Sequence, residues 1–407
     1  MSMNSQEQRE VLVVGAGPVG LASALALRAQ GRAVTLLEAD PAERSRPGSR
    51  AIFVHKESLK LLERVQPGLG REIAAHGLVW PTKRTLWHGK SVFVRHYPSP
   101  DPNALPPFSS LPQVEIERFL LAACQKAGVE FIWNAGVTGV TTTAEGVAVT
   151  TLAGQIWSAA YLIGADGARS AVRQALNIPM EGSRSRNSYI VVDVAEDANE
   201  PLAKERVFHY NHPGVNGRNV LLVPFIGGWR VDLQCYDDDD PEALSKDVRT
   251  WLSKVMPAKY AGAITWVSTY QFLQVLASAF TDTHRRVLLV GEAAHLFAPF
   301  GARGMNSGIA DAIAAATAID AALKTNNPLD AREAIETCAN VRRAAAEYNR
   351  AAAGQALAHV QKRSPVMWVK RSLAALLAPY WESAGVWLDS GPYGPRSGPR
   401  GQTSGKY

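Results

Sequence analysis

Two glycine-rich stretches hold the residues whose types and spacing could do chemistry. The first is Gly15-Ala16-Gly17-Pro18-Val19-Gly20, set between a run of apolar β-formers and a run of helix-formers. There Gly15 permits a tight turn, Gly17 lets backbone approach a pyrophosphate, and Gly20 lets a helix pack closely on its strand. Pro18 opens that helix, whose free N–H groups and dipole favour a phosphate. Glu38 follows about 20 residues on, where a carboxylate can bind ribose hydroxyls. The chemistry is dinucleotide binding, with NAD(P) and FAD both open on these residues alone.

The second stretch, GEAAHLFAPFGARGMNSGIADA, spans residues 291–312. It sets Pro299, Gly301, Gly304 and Gly308 where a helix is about to begin. Glycine costs a helix roughly 1 kcal/mol per position and proline about 3 kcal/mol. Such a stretch either breaks the chain for topological reasons or brings backbone close to something that is not protein.

The elements that must position these residues follow from periodicity. A strand (Val11–Val14), a helix (Pro18–Gln30) and a second strand (Val34–Glu38) form a βαβ unit. A polar loop with three arginines, ERSRPGSRA, precedes a helix at Lys56–Val65. Residues 81–110, rich in Pro, Ser and aromatics, read as irregular or short-strand structure. A helix from Gln113 leads into a strand and a β-meander over 137–163. Alternating patterns dominate 185–280, a mostly antiparallel sheet, and 305–387 is mainly helical. The fold class expected is α/β, a Rossmann-type dinucleotide-binding domain split in sequence by an inserted β-sheet domain and followed by C-terminal helices. The boundaries read as 1–180 and 281–325 for the nucleotide-binding parts, 181–280 for the insertion, 326–390 for the helices and 391–407 for a flexible tail.

Bulk composition narrows the class. The 407 residues are 46% hydrophobic and 20% charged, the balance of a soluble globular protein. No apolar run nears the roughly 18 residues a membrane span needs, and the polar N-terminus lacks a signal-peptide core. Cys124, Cys235 and Cys338 lie far apart without a CxxC, suggesting neither disulfides nor a metal site. A reducing cytoplasm is the simplest home. The net charge of +6 is spread out, which fits an anionic small molecule and argues against nucleic acid.

Two further motifs carry a resemblance. YLIGADGARSAVR (161–173) resembles the second motif of the flavoprotein aromatic hydroxylases, the single-component class that includes para-hydroxybenzoate hydroxylase. RVLLVGEAAHLFAPFGARGMNSGIADA resembles their third, normally GD-AAH-x-x-x-P-x-G-x-G-x-N. The likeness covers about residues 10–320, with the motifs in the family's order. It implies FAD as cofactor, with Gly15, Gly17, Pro18, Gly20 and Glu38 at its ADP half. It matches Arg50 to an arginine at the ribose and phosphates, Gln113 to a glutamine at the ribityl chain, and Asp166 to an aspartate between FAD and nicotinamide. Arg169 and Arg173 would anchor that segment or lie in solvent. Glu292 departs from the family's usual Asp by one methylene. Gly301 and Gly304 would give the flavin ring close approach, and Met305 and Asn306, at the start of a helix, would donate backbone N–H groups to it. Pro299 would offer its carbonyl towards substrate.

The resemblance further implies the reaction. NAD(P)H, visiting without its own domain, reduces FAD, and O2 then forms a C4a-hydroperoxyflavin that hydroxylates a small phenolic or N-heteroaromatic substrate. A flavin-dependent epoxidase or halogenase on the same scaffold and a non-redox FAD-binding protein are the alternatives. For substrate contacts, His209 and Tyr210 in VFHYNHP could hydrogen-bond or deprotonate a phenol, or else pack in the sheet and lie in solvent near a turn. His55 is a further candidate. Tyr189, Trp229 and Tyr236 read as sheet packing and His295 as support for its motif. Arg44, Arg46 and Arg50 could meet nucleotide phosphates, although ERSR reads by default as a solvated loop. The aromatic C-terminal helices suit core or dimer packing, or a peripheral membrane contact, in a monomer or homodimer.

Overall fold

The computed structural model describes residues 9–44, 46–361 and 364–395, with the side chains of 185–187 excepted. The polar N-terminus up to residue 8, and the expected tail from 396 onward, lie outside the described residues.

The chain opens with β1 (Arg9–Val14), α1 (Pro18–Ala29) and β2 (Val34–Leu37). Next come β3 (Val54–His55), α2 (Lys56–Val65) and α3 (Leu69–His76), then a hairpin of β4 (Thr82–Trp87) and β5 (Lys90–His96). After β6 (Phe108–Ser109), α4 (Gln113–Lys126) leads into β7 (Glu130–Ile132), β8 (Val137–Thr142), β9 (Val147–Thr151), β10 (Ile156–Gly164) and α5 (Ala171–Ala175). A second β-rich stretch holds β11 (Met180–Ala195), β12 (Glu205–His212), β13 (Arg218–Phe225) and β14 (Gly228–Gln234). It continues through α6 (Pro241–Lys246) and α7 (Val248–Val255) into β15 (Ile264–Ala277). The chain then returns through β16 (Val287–Leu289) and β17 (His295–Leu296) to α8 (Arg303–Lys324), α9 (Pro328–Val360), α10 (Pro365–Leu377) and α11 (Glu382–Ser390).

Two sheets organise these elements. The first runs β7-β2-β1-β10-β9-β8, with β16 also paired to β10. Its parallel centre, β2-β1-β10-β16, is buried on both faces between helices, which is why its strands read as unbroken apolar runs. The second runs β17-β15-β11-β14-β13-β12-β4-β5. One of its faces packs Ile190, Val192, Val231 and Leu233 against Trp251 and Leu252 of α7. The other face looks back towards the first sheet.

The second sheet corrects the expected insertion. Of the irregular or short-strand structure expected over 81–110, residues 82–96 take short strands that join this sheet: β4 joins β12 in parallel register and β5 extends the edge, while β17 closes the opposite edge from the third motif. The sheet therefore borrows strands from both flanking segments. The start of the expected tail is also built in, since Gly391–Tyr393 forms a 3-10 turn with Pro392 buried. Trp368, Tyr380 and Trp381 of the C-terminal helices stay exposed, so they are not core of the described chain.

Candidate functional site

A cavity of about 1950 Å³ runs between the two sheets, from the first glycine loop to the inner face of the second sheet. At its first end, Gly15 takes φ +100, and a Cβ there would meet the Ala165 carbonyl oxygen at 2.6 Å. A Cβ on Gly20 would lie 1.8 Å from the Gly15 carbonyl oxygen, so α1 touches its own loop through hydrogen alone. A Cβ on Gly17 would meet nothing nearer than Arg46 Nη1 at 3.9 Å, and the residue faces the open cavity. α1 has no side-chain cap and no acid in its first turn, leaving N–H groups directed at the space beside Gly17. A cradle without side chains at an uncapped helix N-terminus fits a pyrophosphate.

Glu38, 5% exposed, closes this end. It accepts from Ala16 N at 2.5 Å and Asp40 N at 3.0 Å and pairs with Arg44 at 2.8 Å. Arg44 and Arg46 also reach Glu117, at 3.4 and 3.5 Å, and Glu117 accepts from Gln113 Nε2 at 2.8 Å. Arg44 and Arg46 are therefore not solvated, because two buried carboxylates draw both arginines inward. Arg46, Arg50 and Gln113 line the cavity. Arg50 stands at φ +49, held there by its neighbours. Ser49 donates through its N–H (2.5 Å) and Oγ (2.7 Å) to Asp193, Trp266 packs on Gly48, and Arg230 donates to the Arg50 carbonyl.

Asp166 lies midway along the cavity. Its Oδ2 accepts from Val172 N at 3.0 Å, while Oδ1 is buried without a partner among the described residues. Burial pushes the carboxyl above its usual range, against the hydrogen bonds from Ser170 and Val172. The orphaned oxygen is a fitting acceptor for a bound cofactor. Arg173 is an anchor rather than a solvated residue, donating to Ala293 O at 3.0 Å from a buried position.

The third motif builds the far wall. α8 starts at Arg303, two residues before the expected Met305, after Gly301 (φ +78) and Ala302 (φ +52) turn the chain in left-handed conformations. A Cβ on Gly304 would meet nothing within 4 Å, and the residue opens on the cavity, whereas a Cβ on Gly308 would lie 2.5 Å from Val19 Cγ2, so that glycine serves helix packing. Pro299 lines the cavity, yet its carbonyl, expected to face substrate, accepts from Ala302 N at 3.1 Å and closes the turn. Met305 and Asn306 also line it. Asn306 turns its side chain away to staple β3: Oδ1 accepts from His55 N (2.9 Å) and Ser58 Oγ (2.7 Å), and Nδ2 donates to Phe53 O (2.8 Å). His55, a candidate for substrate contact, places Nε2 3.0 Å from Gly301 O.

Beneath this wall, His295 Nε2 lies 2.6 Å from Asp311 Oδ2, and Arg342 Nε donates to Oδ1 at 2.7 Å. Asp311 also accepts from Gly291 N at 3.2 Å, so the buried triad fixes the turn that carries Glu292. Burial alone would raise the Asp311 carboxyl, but Arg342 and His295 outweigh it and hold it down at about 2. Glu292 itself opens on the cavity with no hydrogen bond to the described residues. Surrounding protein raises its pKa, against the pull of His295 and Arg50.

The second sheet forms the roof. Arg206 and Phe208 of β12, Leu221 and Val223 of β13, and Arg230 and Asp232 of β14 face the cavity. Tyr189, Tyr270 and Phe272 continue it on β11 and β15, and Phe53, Trp80 and Phe108 stack on the opposite side at 4.3–6.0 Å. Tyr189 is thus a wall residue as well as sheet packing.

His209 and Tyr210 are corrected. Neither lines the cavity. Strand alternation turns His209 to the far face, paired with Val220, where its Nε2 accepts from Gly89 N at 2.9 Å. Tyr210 shares the face of Phe208 but lies beyond the cavity, fully buried, donating to Leu388 O at 2.8 Å beside His359 Nε2 at 3.0 Å. The functional candidates missed were Arg206, Arg230 and Tyr270, whose period-2 placement opposite known wall strands was the signal that could have found them.

The FAD binding domain family matches the chain over residues 8–348. The 3-(3-hydroxy-phenyl)propionate/3-hydroxycinnamic acid hydroxylase of Klebsiella pneumoniae subsp. pneumoniae is 30% identical over 315 residues, 75% of this chain and 55% of that one. The chain thus spans about half the length of the curated relatives it matches. Among solved structures, p-nitrophenol 4-monooxygenase from Pseudomonas putida DLL-E4 superposes with a TM-score of 0.77 at 21% identity, covering 96% of this chain and 99% of that one. A flavin-dependent monooxygenase solved with FAD and substrate, PieE, gives 0.72 at 20% identity, covering 95% and 73%. At these identities the two structures speak for the fold.

Proposed function

The chain belongs to the FAD binding domain family, and from that premise we propose that it is a monooxygenase using NAD(P)H and O2 to hydroxylate a phenolic or N-heteroaromatic ring. The observation that carries this reading is the continuity of the cavity. It runs from the Gly15–Gly20 loop, past a wall with no side chain at Gly304, to the aromatic surfaces of Phe53, Trp80 and Phe108. The first end suits the ADP half of FAD and the last a flat apolar ring.

The residues that would hold the cofactor are the Gly15–Gly20 loop at its pyrophosphate and Glu38 at the adenosine ribose, with Arg50, Gln113, Asp166 and Glu292 further along. When bound, FAD takes a hydride from NAD(P)H and activates O2. The chain's own contributions are positional and electrostatic. The uncapped N-terminus of α8, at Met305 and Asn306, would stabilise negative charge on a flavin bound beside it. The aromatic walls orient the substrate ring and exclude water. Tyr270 presents an O–H donor to the cavity at neutral pH, since burial, reinforced by Glu292 and opposed by Arg230, raises its pKa to about 12.

The test is NAD(P)H consumption by the yellow holoprotein against a panel of phenols and pyridines. Oxidation stimulated by a compound that is recovered with one added oxygen supports the reading, and a protein that takes up no FAD sinks it. The proposed setting is the cytoplasm, as a monomer or homodimer. All three cysteines are free and buried, and no described helix is long and apolar enough to cross a membrane.

A further inference from the structure

Arg206 stands in the cavity wall with its charge unanswered among the described residues. The residue is only 5% exposed, and its Nη1 is buried with no hydrogen-bond partner among the described residues. The acids around it are committed elsewhere. The adjacent Glu205 forms a two-pronged pair with Arg84, at 2.9 Å on both oxygens. Asp389 is shared by Lys83 at 2.9 Å and Arg95 at 3.3 Å. What surrounds the guanidinium is aromatic: its Cζ lies 4.3 Å from the Tyr393 ring centroid and 5.9 Å from that of Phe208.

The contrast with Arg230 sharpens the point. Arg230, two strands away on the same face, has its counter-charge in Asp232 at 2.6 Å and a second acceptor in the Arg50 carbonyl. A buried guanidinium without such partners is costly, because desolvation is not offset by pairing. The cost disappears when a ligand brings the anion. Tyr393 and Phe208 favour a cation at their faces but cannot neutralise it, so the edge of the guanidinium remains for two parallel N–H···O bonds.

We propose that Arg206 receives a carboxylate carried by the substrate, so that the enzyme acts on aromatic acids and discriminates against neutral phenols. The inference rests on the reading of this cavity as an aromatic-substrate site and adds the substrate's charge. Arg206 touches substrate here as a specificity residue and takes no part in the oxygen chemistry.

The experiment is equilibrium binding to the FAD-loaded enzyme, read by calorimetry and by perturbation of the flavin spectrum. The probes are matched pairs: hydroxybenzoates, hydroxyphenylacetates and hydroxyphenylpropionates, each against its neutral amide. The wild type binds at least one acid roughly 10–100-fold more tightly than its amide, the range of a charge-assisted pair. Arg206→Met keeps its flavin and loses the preference, and Arg206→Lys, with the charge but not the fork, retains part of it. Equal binding of acid and amide by the wild type, no acid bound at millimolar concentration, or a preference that survives in Arg206→Met overturns the proposal. If Arg206→Met does not hold flavin, the wild-type ratio and Arg206→Lys decide. Failure of the hydroxylase reading is separable. Acid binding that depends on Arg206 without acid-stimulated NAD(P)H oxidation keeps the anion site and removes the activity. Stimulation by amides and acids alike does the reverse.

Discussion

The imidazole Nε2 of His55 lies 3.0 Å from the carbonyl oxygen of Gly301, joining the short strand β3 to the turn that launches α8. Since a carbonyl only accepts, the neutral ring carries its proton on Nε2. His55 therefore positions the wall at Gly301. His55→Ala is expected to leave FAD bound, because none of the phosphate-end residues is touched. It should reduce the coupling of NAD(P)H oxidation to product roughly 5–10-fold, the worth of about 1 kcal/mol for one lost hydrogen bond. Product formed per NAD(P)H consumed is the measurement, and unchanged coupling removes the role.

Gly20 and Gly304 separate fold from ligand. A Cβ at Gly20 would sit 1.8 Å from the Gly15 carbonyl oxygen, a backbone atom that cannot swing aside. Gly20→Ala should cost about 3 kcal/mol or more in stability with or without flavin. At Gly304 the space is open, and alanine gains up to about 1 kcal/mol of helix propensity. Gly304→Ala should melt no lower than wild type as apoprotein, yet bind FAD at least about tenfold more weakly, since the methyl enters the space proposed for the cofactor. Thermal melts of the apoproteins and flavin titrations test both.

Asp311 is expected to be a stability residue. Replacing it with Asn leaves Arg342 and His295 without their buried carboxylate, at a cost of about 3–5 kcal/mol. Its folded pKa of about 2 lies below the ordinary carboxylate value, so its contribution is fully present above about pH 4 and fades as pH falls towards 2. Chemical denaturation from pH 7 to 2 should show that acid limb in the wild type and a flatter one in Asp311→Asn.

His359 governs a different window. Burial, helped by the charge of Arg371, lowers its pKa to about 4, below the ordinary histidine value near 6.5. As pH falls from about 6.5 towards 4 the unfolded chain takes up the proton first, so stability declines across that interval, by about 3 kcal/mol in all. His359→Gln keeps an N–H for the Tyr210 hydroxyl and should flatten the denaturation midpoint between pH 6.5 and 4. A profile as steep as wild type would assign the slope to other groups, His209 foremost, whose pKa burial, His212 and His88 lower to about 3.

The dinucleotide half was legible because its signals are local. A glycine loop, a helix start and an acid at the next strand's end lie within thirty residues, and the structure brings Gly15, Gly17 and Glu38 to one end of one cavity. What escaped was long-range. The strand β4 buries Lys83, whose partner Asp389 is 306 residues away, so its pattern does not read as half-apolar. Arg44 looked solvated because Glu117 is distant in sequence. His209 and Tyr210 were drawn by chemical type, when alternation along β12 decides which side chains meet the cavity and selects Arg206 and Phe208. Glu292, one methylene longer than the residue expected there, lies on the cavity wall with its turn fixed by Asp311.

The central strand of the first sheet, β10, takes β1 on one side and β16 on the other, partners about 150 residues earlier and 125 later in the chain. A ribosome that has released the glycine loop has therefore made only one flank of the sheet that must support it. The opposite wall of the cavity, in the third motif, is synthesised only after β11–β15 of the second sheet. Closing such distant pairs carries a loop entropy that no local contact repays. The groove proposed for the cofactor thus gains its far wall only after residues 291–308 have followed those strands off the ribosome, and free flavin meets a completed receptor no earlier than that.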